Sequence, residues 1–241
     1  MGTSRSTRAL ASQADVRGRI RTLIVERGLG PGDLLPTEPE LMATLGVSRN
    51  SLREAIKGLQ AVGIVDVRHG YGTYVGAGDL QSLEDGLSFR LAVSLDRDLR
   101  DVRELLQVRR ALEVGLAREV TAYWSTHPMD PLSDVVAEME AAAASGQYFP
   151  DEDWRFHAAL YAPLDNRLIL ELLRVFWRTF HEIDPRLPGP RYTPSDAAGW
   201  HRRICDALAA GDPDAAAVAM ADHFSGISVR LATADGAEPA G

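Results

Sequence analysis

Apolar residues recur at three- and four-residue intervals over most of this chain, the spacing that lines one face of an α-helix. Val16, Ile20, Leu23 and Ile24 trace a first helix that stops at Gly28, a residue suited to a left-handed terminus. After the turn Pro31-Gly32-Asp33, Thr37-Glu38-Pro39-Glu40 has the spacing of a capping box and predicts a second helix over 38–45. Gly46-Val47 makes a tight turn and Ser48 caps a third helix, whose buried stripe is Leu52, Ala55, Ile56 and Leu59. The period then changes to strand type. Ile64–Arg68 and Thr73–Val75 flank the turn His69-Gly70-Tyr71-Gly72 and predict a hairpin.

From Gly76 to about Arg100 the pattern weakens, with one short helix expected near 80–94. Beyond it the period is helical again. Val102, Leu105, Leu106, Leu112, Leu116 and Val120 predict one long amphipathic helix, followed by others at about 131–145, 150–162, 166–184, 195–210 and 213–233. In Gly211-Asp212-Pro213, glycine closes a helix, aspartate caps the next and proline takes its first position. Short connections of this kind imply antiparallel neighbours. The fold expected is mainly α: an N-terminal winged helix-turn-helix with a small β-hairpin wing, joined to a C-terminal antiparallel all-α bundle. The expected divisions are a disordered tail over 1–12, a DNA-binding domain over 13–76, a linker over 77–98, a helical domain over 99–234 and a disordered tail over 235–241.

A length of 241 residues suits two such domains. No apolar run spans a bilayer, and the start lacks an apolar signal core, so a soluble, cytoplasmic protein with no membrane partner is expected. The single cysteine, Cys205, excludes an intramolecular disulfide and a thiolate cluster. A net charge of -8 argues against a nucleic-acid partner until it is divided along the chain. Residues 1–78 hold ten basic and seven acidic groups, a surplus of +3; the remaining 16 and 27 leave -11. The cationic front end is suited to a polyanion, and the acidic remainder to solubility.

On the third helix Arg49, Arg53 and Lys57 are four apart and share the face opposite the apolar stripe, with Ser48, Asn50 and Ser51 at its start. Such a face enters a major groove, amide ends and hydroxyls meeting phosphate while Arg49 or Arg53 grips guanine. His69 and Gly70 sit at the wing tip, where glycine lets backbone approach a groove. Each arginine taken alone reads equally as surface solvation; helix order, basic stripe and wing together favour double-stranded DNA. The run Pro31-Gly32-Asp33-Leu34-Leu35-Pro36-Thr37-Glu38, with Leu45–Arg49, Leu52–Ala55 and Gly70–Val75, resembles the DNA-binding domain of GntR-family transcriptional regulators. That resemblance implies operator contacts at Ser48, Arg49, Asn50, Ser51 and Arg53, with His69 and Gly70 on the wing. Pro39 stands where some relatives carry arginine.

In the second half, Asp153 and His157 are four apart on one helix, while His201 and His223 lie on the apolar faces of two later ones. A carboxylate and imidazoles pointed into an apolar bundle cost free energy unless they coordinate something. The set suits a divalent metal ion, Zn²⁺ first and Ni²⁺ or Mn²⁺ as alternatives. A core histidine bonded to a carbonyl is the competing reading. His127, in a polar loop, and His181, near a helix end, carry no assigned role.

Asp153–Leu160, Asn166–Ile169, His201–Ile204, Gly211-Asp212, Met220 and His223 together resemble the FCD effector domain of the FadR-type GntR subfamily, over about 99–233. The resemblance implies that Asp153, His157, His201 and His223 hold the metal and that a small carboxylate effector completes its shell. It also matches Arg109 to an arginine that often faces this pocket; pairing with the acid, plain solvation and a salt bridge to Glu113 all stand open at this point. The function implied is a homodimeric repressor on a palindromic operator, and not an enzyme. A metal-dependent hydrolase or isomerase fused to a DNA-binding head is the alternative, disfavoured because no second motif supplies a general base. A regulator that senses metal alone is another.

Overall fold

In the computed structural model the described residues are 3–189 and 191–234, with side chains described from 14 to 233 apart from residue 190. The chain divides into two compact units, Met1–Leu83 and Glu84–Gly241. No helix among the described residues is long and apolar enough to cross a membrane.

The first unit is built from α1 (Thr3–Glu26), α2 (Glu38–Leu45), α3 (Arg49–Gln60) and the hairpin β1 (Val65–Arg68) and β2 (Gly72–Val75). The two strands pair antiparallel with Val65 opposite Val75 and Arg68 opposite Gly72. Val16, Ile20, Leu23 and Ile24 of α1 pack with Leu41, Leu52, Leu59 and Val65 in one core. Helix α1 begins at Thr3, so the stretch over 3–12 expected as a tail is helical. It contains alanine, leucine and arginine among serines and threonines and has no glycine or proline, and a helical turn, once nucleated, propagates through such residues. Residues 1–2 and 235–241, the remainder of the expected tails, lie outside the described residues.

The caps fall where side-chain chemistry places them. The Glu40 carboxylate accepts from the Thr37 amide at 2.8 Å and from its hydroxyl at 2.8 Å, which holds its pKa below the usual range. Gly46, at φ +62°, ends α2, and Ser48 Oγ accepts the Ser51 amide at 3.2 Å to start α3. One pairing was not legible in the pattern. Leu34 bridges Tyr74, with Leu35 N–H donating to Thr73 O and Val75 N–H to Asp33 O, so the turn before α2 acts as a third edge on the wing.

The second unit is helical. The weakly patterned stretch 77–98 contains α4 (Gln81–Leu95), which buries Leu91 and ties Glu84 to Arg178 at 3.1 Å and Arg90 to Asp101 at 2.5 Å. The long helix expected through Val120 is two, α5 (Arg100–Gly115) and α6 (Ala117–Trp124). Gly115, a weak helix former, precedes Leu116 at φ -89°, ψ -4°, where the backbone tightens before α6 resumes. Then come α7 (Asp130–Ala144), α8 (Pro150–Tyr161), α9 (Arg167–Ile183) and α10 (Pro194–Ala209). The last predicted helix also divides, at Phe224, into α11 (Pro213–His223) and α12 (Ser225–Ala234); the Ser225 hydroxyl donates to the Asp222 carbonyl at that joint. Gly211-Asp212-Pro213 behaves as its chemistry dictates: Gly211 has φ +67°, and Asp212 Oδ1 accepts from the Asp214 and Ala215 amides at 3.0 and 2.9 Å. The core of this unit includes Val120, Leu132, Val136, Met139, Phe156, Leu160 and Leu208. Side chains on the inward faces of α5, α8, α10 and α11 are therefore out of water.

Candidate functional site

Asp153 and His157 stand one turn apart on α8, as an i,i+4 pair must. His201 comes from α10 and His223 from α11, three helices held together by the apolar core. One ligand atom from each of the four residues lies within 4.8 Å of the other three. His201 Nε2 is 3.0 Å from Asp153 Oδ1 and 3.1 Å from His223 Nε2. His157 Nε2 and His223 Nε2 each stand 3.9 Å from Asp153 Oδ1.

Surrounding groups decide which atoms face inward. His201 Nδ1 donates to the Ala197 carbonyl at 2.8 Å, which leaves its Nε2 lone pair bare toward the cluster. Asp153 Oδ2 accepts the Trp177 indole N–H at 2.5 Å, leaving Oδ1 for the centre. His157 Nδ1 stands 3.1 Å from Glu113 Oε2, close but off the line of a hydrogen bond. Burial, reinforced by the neighbouring His201, pushes His223 down to about 3, so it is a neutral imidazole at ordinary pH. Burial opposes ionisation of Asp153, but the adjoining His201 and His223 imidazoles outweigh it and hold the carboxyl well below its usual range. Neutral imidazoles and an ionised carboxylate are the forms that bind a metal. Two nitrogen lone pairs facing each other at 3.1 Å repel unless a cation or proton lies between them. The donor set therefore fits a divalent ion, with three nitrogens and one oxygen.

Behind His157 lies a buried network that the sequence reading did not single out beyond naming Glu113 as one partner for Arg109. Glu113, 2% exposed, accepts Arg109 Nε at 2.6 Å and the Tyr161 hydroxyl at 3.1 Å. Arg109 is itself 4% exposed, which overturns the solvated reading of that residue, and its Nε makes the salt bridge to Glu113. Its Nη2 also comes within 3.4 Å of His157 Nε2. Although burial alone would raise the Glu113 pKa, Arg109 and His157 drive it far below the ordinary carboxylate range. In sequence, Glu113 is an i+4 neighbour of Arg109; only the tertiary fold sets Tyr161 and His157 against it.

A cavity of about 290 Å³ opens onto the cluster, lined by Arg109, Asp153, His201 and His223 at one part and by aromatic side chains elsewhere. His181, left without a role by the sequence, lines it too. It stacks on Trp177 at 4.0 Å between ring centroids, with Nδ1 2.9 Å from the Trp177 carbonyl oxygen. Tyr192 and Trp200, from the α9–α10 connection and α10, close another wall.

In the first unit, Ser48, Arg49, Asn50, Arg53 and Lys57 are exposed and Ser51 half-buried, all on or beside α3. Arg53 Nε is paired with Glu38 at 3.1 Å and Lys57 with Glu54 at 2.9 Å, exposed bridges worth little in water and exchangeable for phosphate. His69 and Gly70 occupy the exposed wing tip, Gly70 at φ +82°, separate from the α3 group. Arg68 at the end of β1 lies over the Tyr74 ring at 4.2 Å.

Comparison with known proteins agrees with both units. Residues 12–75 match the model for bacterial regulatory proteins of the gntR family, and residues 104–226 match the FCD domain. The chain is similar to the HTH-type transcriptional regulator LutR of Bacillus subtilis, 30% identical over 83% of this chain and 91% of the relative. It is 28% identical to the Uxu operon transcriptional regulator of Escherichia coli, over 94% of this chain and 89% of that one. Among solved structures, a GntR protein of Streptococcus agalactiae superposes with a TM-score of 0.58 at 31% identity, covering 90% of this chain and 98% of its own. A reading head before a helical domain, matched over nearly the whole length by regulators of the same build, leaves one assignment: this chain belongs to the GntR family of bacterial transcriptional regulators, in its FCD-domain, FadR-like branch.

Proposed function

We propose that this regulator is a homodimeric repressor that binds a palindromic operator and is controlled by a small organic acid through a divalent cation, zinc first. Asp153, His157, His201 and His223 would hold the ion, and Ser48, Arg49, Asn50, Ser51 and Arg53, with His69 and Gly70 on the wing, would meet DNA. The observation that carries the sensing half is the convergence of three imidazole nitrogens and one carboxylate oxygen within 4.8 Å at the wall of a cavity. A bound ion would supply Lewis acidity and an open coordination position for a carboxylate. The chain's own residues do the rest. Trp177 and Ala197 orient Asp153 and His201, Glu113 backs His157, and Arg109 places a buried guanidinium beside the cavity to pair with the acid.

Coupling to DNA requires the acid to favour one arrangement of the dimer over another. The relatives support the regulatory reading: the one from Escherichia coli is named for an operon it regulates. The test uses chelator-stripped protein. Zinc is expected to bind in calorimetry with one ion per chain, and to fail in His201→Ala. Short carboxylic acids should bind only the zinc-loaded form and release a DNA fragment carrying the chain's own promoter in a mobility-shift assay. Undiminished zinc binding by His201→Ala would refute the ligand set. A DNA complex that responds to zinc but to no acid would favour a metal sensor.

A further inference from the structure

The cavity has a second charged pole that the metal reading does not use. Asp184, at the end of α9, offers its two carboxylate oxygens to two different guanidiniums. Arg230 Nη1 donates to Oδ1 at 2.5 Å, and Arg191 pairs with Oδ2. Arg230 is 2% exposed and also donates to the Asp184 and Leu187 carbonyls at 3.1 and 2.8 Å. It is a fixed internal partner that by itself neutralises Asp184. Arg191 is then a surplus positive charge on the cavity wall. Its guanidinium carbon sits 4.9 Å from the centre of the Tyr148 ring, and the Tyr148 hydroxyl is anchored to the Tyr192 carbonyl at 2.6 Å. A guanidinium has five N–H donors, more than the Asp184 contact occupies.

Size and lining narrow the occupant further. At roughly 30 Å³ per water, 290 Å³ holds about ten waters, so a three-carbon acid would leave most of the cavity to solvent. The cavity is also lined by Tyr148, Phe149, Phe180, Tyr192 and Trp200, aromatic side chains suited to a flat apolar body. Gly226 keeps two of them in place: a Cβ there would lie 2.4 Å from the Trp200 ring and 2.6 Å from that of Tyr192.

We infer that the effector is a two-headed organic acid with an apolar ring as its body, one carboxylate at the cation beside Arg109 and the second anionic group held by Arg191. This rests on the metal reading above and adds a specificity-determining residue to it. A charge-assisted hydrogen bond at the cavity rim, where the Arg191 side chain is 40% exposed, makes the second head worth about tenfold in affinity, the lower end for bonds to charged groups.

The test is calorimetry on the full chain with zinc, comparing benzoate with the three benzenedicarboxylates. At least one diacid is expected to bind about tenfold more tightly than benzoate. In Arg191→Gln that preference should vanish, while the thermal transition and zinc binding serve as fold controls. Equal affinities for benzoate and every diacid on zinc-loaded wild-type protein would overturn the inference and leave the cation reading intact. A preference that survives Arg191→Gln would overturn the role of Arg191. If zinc itself fails to bind, the cation reading falls, and the two-headed effector with it.

Discussion

Replacing Glu113 by leucine tests whether the helical domain is organised around a buried ion pair. Its carboxylate is 2% exposed, 2.6 Å from Arg109 Nε, 3.1 Å from the Tyr161 hydroxyl and 3.1 Å from His157 Nδ1. Leucine leaves the Arg109 guanidinium, itself 4% exposed, without its counter-charge, and the Tyr161 hydroxyl without its acceptor. Breaking a buried pair in this way costs about 3–5 kcal/mol, a large share of the ~5–15 kcal/mol that stabilises a domain. At about 2–4 °C per kcal/mol for a domain of this size, the melting transition of the helical unit should fall by roughly 10 °C. The double variant Arg109→Met/Glu113→Leu removes both charges and should be more stable than Glu113→Leu alone, because no unpaired charge remains. Differential scanning calorimetry of the zinc-free chain reads both. A loss below about 1 kcal/mol for Glu113→Leu, or a double variant that melts lower than the single, would refute the argument that desolvation of Arg109 sets the cost.

Other consequences are open to direct measurement. Since the His223 pKa is about 3 in the folded chain against 6.5 when free, the unfolded state binds the extra proton between those values. Chelator-treated protein should therefore hold its full stability above pH 6.5 and lose up to about 1.4 kcal/mol per pH unit below it, as urea titrations at stepped pH will report. The depressed Asp153 and Glu113 carboxyls add loss of the same sign at the acid end. Cys205 is buried, and burial pushes its thiol up to about 12, so a disulfide-exchange reagent at pH 8 should label the folded chain slowly and the urea-unfolded chain at once. Gly72 sits at φ +120°, and a Cβ there would lie 2.9 Å from Leu34 Cδ1. Gly72→Ala should cost about 1–3 kcal/mol in the winged unit and weaken operator binding in a mobility-shift assay.

What the linear order of residues determined here is whatever depends on neighbours within a few positions. The α3 stripe of Leu52, Ala55, Ile56 and Leu59, the Ser48 cap, the hairpin around Gly70 and the Gly211-Asp212-Pro213 junction follow from local sterics and hydrogen bonding, and they stand where that chemistry puts them. The one-turn spacing of Asp153 and His157 was legible for the same reason. Local rules could not see the breaks at Leu116 and Phe224, where the apolar period runs on unbroken while the backbone tightens. The short helix expected near 80–94 stands as α4, but local rules could not see the Leu34–Tyr74 bridge that joins residues 40 apart.

The candidate site divides along the same line. Its four donors could be named from residue type and helical face, but their meeting point depends on how α8, α10 and α11 pack. Whether Arg109 was a solvated charge or a buried one was settled only by Glu113, Tyr161 and His157 closing around it. Trp177 on Asp153, and Arg230 on Asp184, are likewise contacts between segments distant along the chain. The burial that keeps His223 neutral is a property of the packed domain and has no counterpart in the order of residues.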